Sequence, residues 1–381
     1  MSLIYLDNSA TSFPKAPGMA EAVKEALLTA GTSGRASYDE VLKGSRILYK
    51  CRTNIAQLLG VRNSSQIILN SGATESLNTV IKGYVRQNMR VLTSGAEHNS
   101  VMRVLEFLKE DKNITVDRFL CRKDGMADLK SYSDFLSHSP DLVILCHSSN
   151  VTGAVYPIKE MIKKAHSAGS AVCIDGAQSA GYEEINLQNL NPDFFCFSGH
   201  KGLLGPAGTG GFYIKEGQKL QPLIFGGTGS RSEEEIQPNM LPDKYESGTR
   251  NIPGLAGLAE SSSYVLKTGI HKIQKKEQVL SRMILENLSS IEGITIYGPK
   301  ELENRNSVVS FTHDSLDISQ IAEILDNEGI AMRMGLHCTP SAHKVLGTFD
   351  SGGTIRLSPG YFNNEEEIMG TIDVIRKAIN G

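Results

Sequence analysis

The stretch FSGHKGLLGPAGTGGFYI, residues 197–214, reads as the end of one strand, a glycine-rich loop and a second strand. The segment between Ser198 and Gly210 is too short and too rich in glycine to hold a helical crossover. GGFYI is therefore expected to run antiparallel to the strand before it, or to be set beside it by the loop. Outward from this stretch, short apolar runs alternate with helical patterns. QIILN (66–70) precedes SGATESLNTVIKGYVRQ, RVLTS (90–94) precedes NSVMRVLEFLKED, and DLVILCHSS precedes IKEMIKKAHSAG; SAVCIDG and DFFCFSG follow. This rhythm of strand then helix predicts an α/β fold with an open, largely parallel sheet covered by helices.

After about Gly257 the pattern changes. Long amphipathic stretches are followed by ITIYG, NSVVSFTH and TIRLSPGYF, which read as a smaller α+β unit. The expected division is a large unit over 14–257 and a small one made of 1–13 and 258–381. The segment 226–248 is polar and carries glycine and proline, and it reads as a long loop of the kind that often serves function.

The chain has 381 residues, enough for two packed units, with 40% apolar and 21% charged residues and a net charge of −3. No basic field speaks for nucleic acid or a membrane surface. The longest apolar runs fall far short of the roughly 20 residues a membrane span needs. MSLIYLDNSATSFP lacks a basic stretch followed by an apolar one, so no signal peptide is expected and the cytoplasm is the default location. Cysteines stand at 51, 121, 146, 173, 196 and 338, with no C-x-x-C pair, so no metal site is expected. Cys146, Cys173 and Cys196 lie in strand-like runs and read as small core residues. Cys338 differs, since MGLHCTPSAHKVLG surrounds it with polar, loop-like residues.

In an open α/β sheet, ligands bind beyond the carboxyl ends of the strands. SGATES, SGAEHNS, HSSNVTGA, DGAQSAG and SGHKG all occupy such positions. Gly72-Ala73-Thr74 opens a helix whose N–H groups suit a phosphate, although from this segment alone a plain cap on Ser71 or Thr74 is the readier reading. Asp175 ends an apolar strand, where it either holds a cationic ring nitrogen or caps a helix. His98 can stack on a planar ring or simply hydrogen-bond within its loop. Lys201 alone would be an ordinary solvated lysine. Taken together, a phosphate site, a carboxylate for a pyridinium, a stacking ring and a lysine amine are the parts of a pyridoxal 5'-phosphate site.

SGATES, AEHNS, DGAQSAG, SGHKGLLGPAGTGGFYI and ESGTRNIPG, in this order along the chain, resemble the class V aminotransferase family of fold-type I pyridoxal phosphate enzymes, and within it the cysteine desulfurases. YLDNSATSFP is similar to that family's opening segment. The resemblance covers nearly the whole chain. It implies a mostly parallel seven-stranded sheet covered by helices and a smaller α+β C-terminal domain. It also implies that Lys201 holds the cofactor covalently, Asp175 pairs with its ring nitrogen, Gln178 binds its phenolic oxygen and His98 stacks on its ring. Ala73, Thr74, Ser198 and His200 would hold the phosphate. Gly248 and Thr249 match a segment that reaches the neighbouring subunit's site, which implies a homodimer. Asn150 and Arg356 match substrate-side residues, with Arg356 gripping the carboxylate of L-cysteine.

Cys338, in RMGLHC, resembles the catalytic cysteine of the short-loop desulfurases. The implied reaction converts L-cysteine to L-alanine and leaves a persulfide on Cys338 for a sulfur-acceptor protein. His337 or His98 is a candidate to take the thiol proton. TPSAHKVLGTFDSGG, after Cys338, departs from the family's usual continuation and leaves the acceptor open. GTSGRASYD (31–39) matches only loosely, so a role for Arg35 rests on that loose match. A selenocysteine lyase or an aminotransferase on the same fold is the alternative; an aminotransferase has no need of Cys338.

Overall fold

The computed structural model describes residues 3–34, 37–231 and 233–380. In chain order its strands are β1 (Ile4–Tyr5), β2 (Ile67–Asn70), β3 (Arg90–Ser94), β4 (Thr115–Phe119), β5 (Leu142–Cys146), β6 (Ala171–Asp175), β7 (Phe194–Ser198), β8 (Gly210–Ile214), β9 (Ile294–Tyr297), β10 (Val309–His313), β11 (Ile330–Ala331), β12 (Arg333–Gly335) and β13 (Thr354–Leu357).

Seven of them form one sheet in the order β2-β8-β7-β6-β5-β3-β4. All neighbours are parallel except β8, which runs antiparallel to both β2 and β7. The short glycine-rich loop thus turns the chain straight back, as its length requires. The central strands β5, β6 and β7 are almost continuously apolar because helices cover both faces. Alternate side chains feed two separate cores: Val143, Leu145, Val172, Ile174, Phe195 and Phe197 enter one, and Leu142, Ile144, Cys173, Phe194 and Cys196 the other. Cys173 and Cys196 are thus core residues.

A four-stranded antiparallel sheet, β12-β13-β10-β9, and the parallel pair β1-β11 make up the rest. Leu6, Leu280, Ile284, Phe311, Leu357 and Ile372 belong to a third core. The expected division at 257 falls inside the helix Ile252–Thr268, which buries Leu258, Ala259 and Val265 in the first core. The next helix, Ile270–Ser289, gives Ile273 to the first core and Leu280, Ile284 and Leu288 to the third. We propose that the units meet along this second helix. No described helix is long and apolar enough to cross a membrane.

Candidate active site

The loops that follow β2, β3, β5, β6 and β7 converge on one cavity of about 380 Å³. Ala73, Thr74, His98, Asn150, Asp175, Gln178, Ser198, His200, Lys201, Cys338 and Arg356 all line it.

On the β2 side, Gly72 precedes the helix Ala73–Tyr84 with φ 142° and no side-chain cap. A side chain is strained at that φ, so glycine leaves the helix start open. The backbone N–H and the hydroxyl of Ser71 both donate to Glu75 Oε2, at 3.0 Å and 2.5 Å. Ala73 N–H donates to Ser198 Oγ at 3.2 Å. The His200 ring has a buried Nδ1 without a partner. Burial, with Lys201 and Lys15 nearby, pulls its pKa down to about 4, so the ring is neutral.

Asp175 ends β6 and is buried, with Oδ1 accepting from Ala177 N–H at 3.0 Å. Burial lowers the pKa of Lys201 below the usual lysine range; Asp175 opposes that shift and Arg356 adds to it. A half-buried amine that loses its proton more readily is a better nucleophile. His98 is the N-cap of the helix Asn99–Lys112, and its Nδ1 accepts from Ser100 N–H at 3.0 Å. That bond assigns the neutral ring's proton to Nε2. Burial keeps His98 on the neutral side of its usual pKa. Gln178 donates to the Ser9 carbonyl at 2.9 Å.

Asp7 and Arg333 escaped notice in the sequence. Arg356 Nη2 lies 2.7 Å from Asp7 Oδ1, and Arg333 Nη2 2.8 Å from Asp7 Oδ2. Arg356 Nη1 donates to the Asn150 carbonyl at 3.0 Å, and its buried Nε has no partner. Each terminal nitrogen therefore donates once within the protein and keeps a hydrogen for a ligand. Ser9, Ala10 and Thr11 also line the cavity. Ser12 N–H donates to the His200 carbonyl at 2.9 Å, and Lys15 Nζ reaches the same oxygen at 3.2 Å. The opening segment thus buttresses the Lys201 turn, and only its place in the family pattern could have signalled that.

Cys338 is an exposed free thiol at the cavity edge, between β12 and the helix Pro340–Leu346. His337 turns inward, its Nε2 2.9 Å from Thr354 Oγ1. Burial, helped by Arg356, pushes its pKa down to about 2. So strong a reluctance to accept a proton makes His337 a poor base for the thiol and leaves His98 as the candidate.

The cavity does not include Gly248 or Thr249. Both are exposed, in a segment fastened by buried Glu246, whose carboxylate meets Arg52 at 2.7 Å. Gly248 N–H donates to the Gly227 carbonyl at 2.8 Å. Arg35 lies outside the described residues.

Residues 4–370 match the aminotransferase class-V family. The chain belongs to that family. Among curated relatives, the probable cysteine desulfurase of Methanothermobacter thermautotrophicus is 34% identical, over 96% of this chain and 92% of its own length. The probable cysteine desulfurase of Vibrio cholerae is 30% identical, over 99% and 94%. Among solved structures, the apo cysteine desulfurase of Thermococcus onnurineus NA1 superposes with a TM-score of 0.94 at 30% identity, over 100% of this chain and 95% of that one. Cysteine desulfurase CsdA (S-sulfonic acid) of Escherichia coli gives 0.87 at 26% identity, over 99% and 95%. Class V aminotransferases and cysteine desulfurases depend on pyridoxal 5'-phosphate. The side chains of this class V member fit that group: an open helix start and an unpartnered buried imidazole suit a phosphate, and a buried carboxylate suits a ring cation.

Proposed function

We propose that the chain is a pyridoxal-phosphate-dependent cysteine desulfurase that converts L-cysteine to L-alanine and keeps the sulfur as a persulfide on Cys338. One observation carries the reading: an amine, a buried carboxylate, an arginine fork and an exposed thiol line the same cavity, as Lys201, Asp175, Arg356 and Cys338. An aminotransferase needs the first three and gains nothing from the fourth.

Lys201 holds the cofactor through its amine, and Asp175 keeps a cationic ring nitrogen protonated. Ala73, Thr74, Ser198 and His200 bind the phosphate, His98 stacks on the ring, and Gln178 hydrogen-bonds its phenolic oxygen. When bound, the cofactor supplies the electron sink that makes the substrate Cα acidic and its Cβ–S bond breakable. Arg356 takes the substrate carboxylate with its remaining N–H groups, and Asn150 fixes Arg356 from behind through its carbonyl. Lys201, its amine set free once the substrate amine takes its place, is the base for the Cα proton. The Cys338 thiolate attacks the substrate sulfur. An S–S bond forms as the Cβ–S bond breaks, the electron pair stays on the carbon side, and Cβ takes a proton, so L-alanine leaves. The reaction balances without any outside reductant.

We also propose a homodimer in which Gly248 and Thr249 serve the neighbouring subunit's phosphate site. Their exposure away from the cavity of their own chain supports this. The sulfur then passes to an acceptor protein that reaches Cys338. The function is tested by giving the cofactor-loaded protein L-cysteine. Alanine is expected; the matching keto acid would mark transamination instead.

A further inference from the structure

His337 and Cys338 both have positive φ, 48° and 58°. Two successive side-chain-bearing residues in the left-handed region do not hold that shape unaided. Within the loop, Thr339 N–H donates to the Leu336 carbonyl at 2.8 Å and closes a turn around the two residues; further ties join the loop to its neighbours. Asn99 N–H donates to the Cys338 carbonyl at 3.0 Å. Asn150 Nδ2 donates to the His337 carbonyl at 2.7 Å. Thr339 Oγ1 donates to Asn150 Oδ1 at 2.9 Å.

Thr339 is the notable member. It is buried, and it stands at the N-cap of the helix Pro340–Leu346, where a threonine hydroxyl ordinarily accepts a backbone N–H. Here it makes no cap bond and turns to Asn150 instead. Both polar ends of the Asn150 amide are thus engaged by the cysteine loop, while its backbone carbonyl holds Arg356. One residue ties the carboxylate-gripping arginine to the thiol-bearing loop, and Thr339 fixes the way its amide faces. Thr339 begins the segment TPSAHKVLG that departs from the family's usual continuation.

We propose that Thr339 is a positioning residue for sulfur abstraction: through Asn150 it keeps the Cys338 thiol over the cavity and in register with Arg356. This rests on the desulfurase reading. The test uses cofactor-loaded enzyme carrying T339V, T339A or T339S. Valine keeps the volume and loses the hydroxyl, alanine loses both, and serine keeps the hydroxyl. Three readouts are taken: cofactor content, the cofactor's spectral response to L-cysteine, and the single-turnover rate of persulfide formation on Cys338. T339V and T339A should slow the third about tenfold, the effect of losing one buried hydrogen bond, and leave the first two within about twofold. T339S should match the wild type within about twofold on all three. An unchanged persulfide rate in T339V and T339A would overturn the inference, as would losses spread equally over all three readouts. If the wild type itself forms neither alanine nor persulfide, the desulfurase reading fails instead.

Discussion

Asp7 Oδ1 stands 2.7 Å from Arg356 Nη2, and both residues are buried. The pair joins the opening segment to β13, next to the cavity that both Arg333 and Arg356 line. A buried guanidinium tolerates its surroundings only while its charge is matched, and Asp7 supplies the match. Replacing Asp7 by asparagine should lower the unfolding free energy by about 3 kcal/mol, because it strands the Arg356 charge. Denaturant unfolding measures it; a variant as stable as the wild type would mean the pair contributes nothing.

Arg356 offers a planar fork whose Nη1 and Nη2 are already held in place by Asn150 and Asp7. R356K keeps a charge but loses the fork. We expect KM for L-cysteine to rise about tenfold or more, with a smaller change in kcat. An unchanged KM would remove Arg356 from the carboxylate site.

Glu97 is fully buried beside His98, with Oε1 bonded to Ser94 Oγ at 2.7 Å and Oε2 unpartnered. Burial raises its pKa from 4.5 to about 7, with Asp175 adding to the rise. The folded state therefore holds this proton more tightly than the unfolded chain. The stability it brings is complete below pH 4.5 and is lost as pH rises towards about 7. E97Q does not titrate, so the wild type should lose about 3 kcal/mol relative to E97Q over that window. Urea unfolding at about pH 5 and about pH 8 measures the difference, and parallel curves would contradict it.

The order of apolar runs made most of the large sheet legible, since buried parallel strands are continuously hydrophobic. β4 was not legible: TVDRF is a flanking strand with polar residues and only Phe119 buried, so it lacks that signature. The site's loops were legible because each follows a readable strand. Asp7 and Arg333 were not. Their pairing depends on β1 lying beside β11, and two-residue strands give no periodic signal. Thr339 was hidden for another reason: a threonine before a proline-led helix reads as a cap, and only the folded chain reveals that its hydroxyl points to Asn150.

The central claim is that Lys201 and Cys338 act on one substrate molecule in one cavity. The most direct measurement is a single turnover of cofactor-loaded protein with L-cysteine, quantifying alanine and the sulfur bound at Cys338. Wild-type protein should give both in equal amounts. K201A should give neither. C338S should still show the cofactor's spectral response to L-cysteine and yet release no alanine. Alanine release by C338S at the wild-type rate would contradict the account.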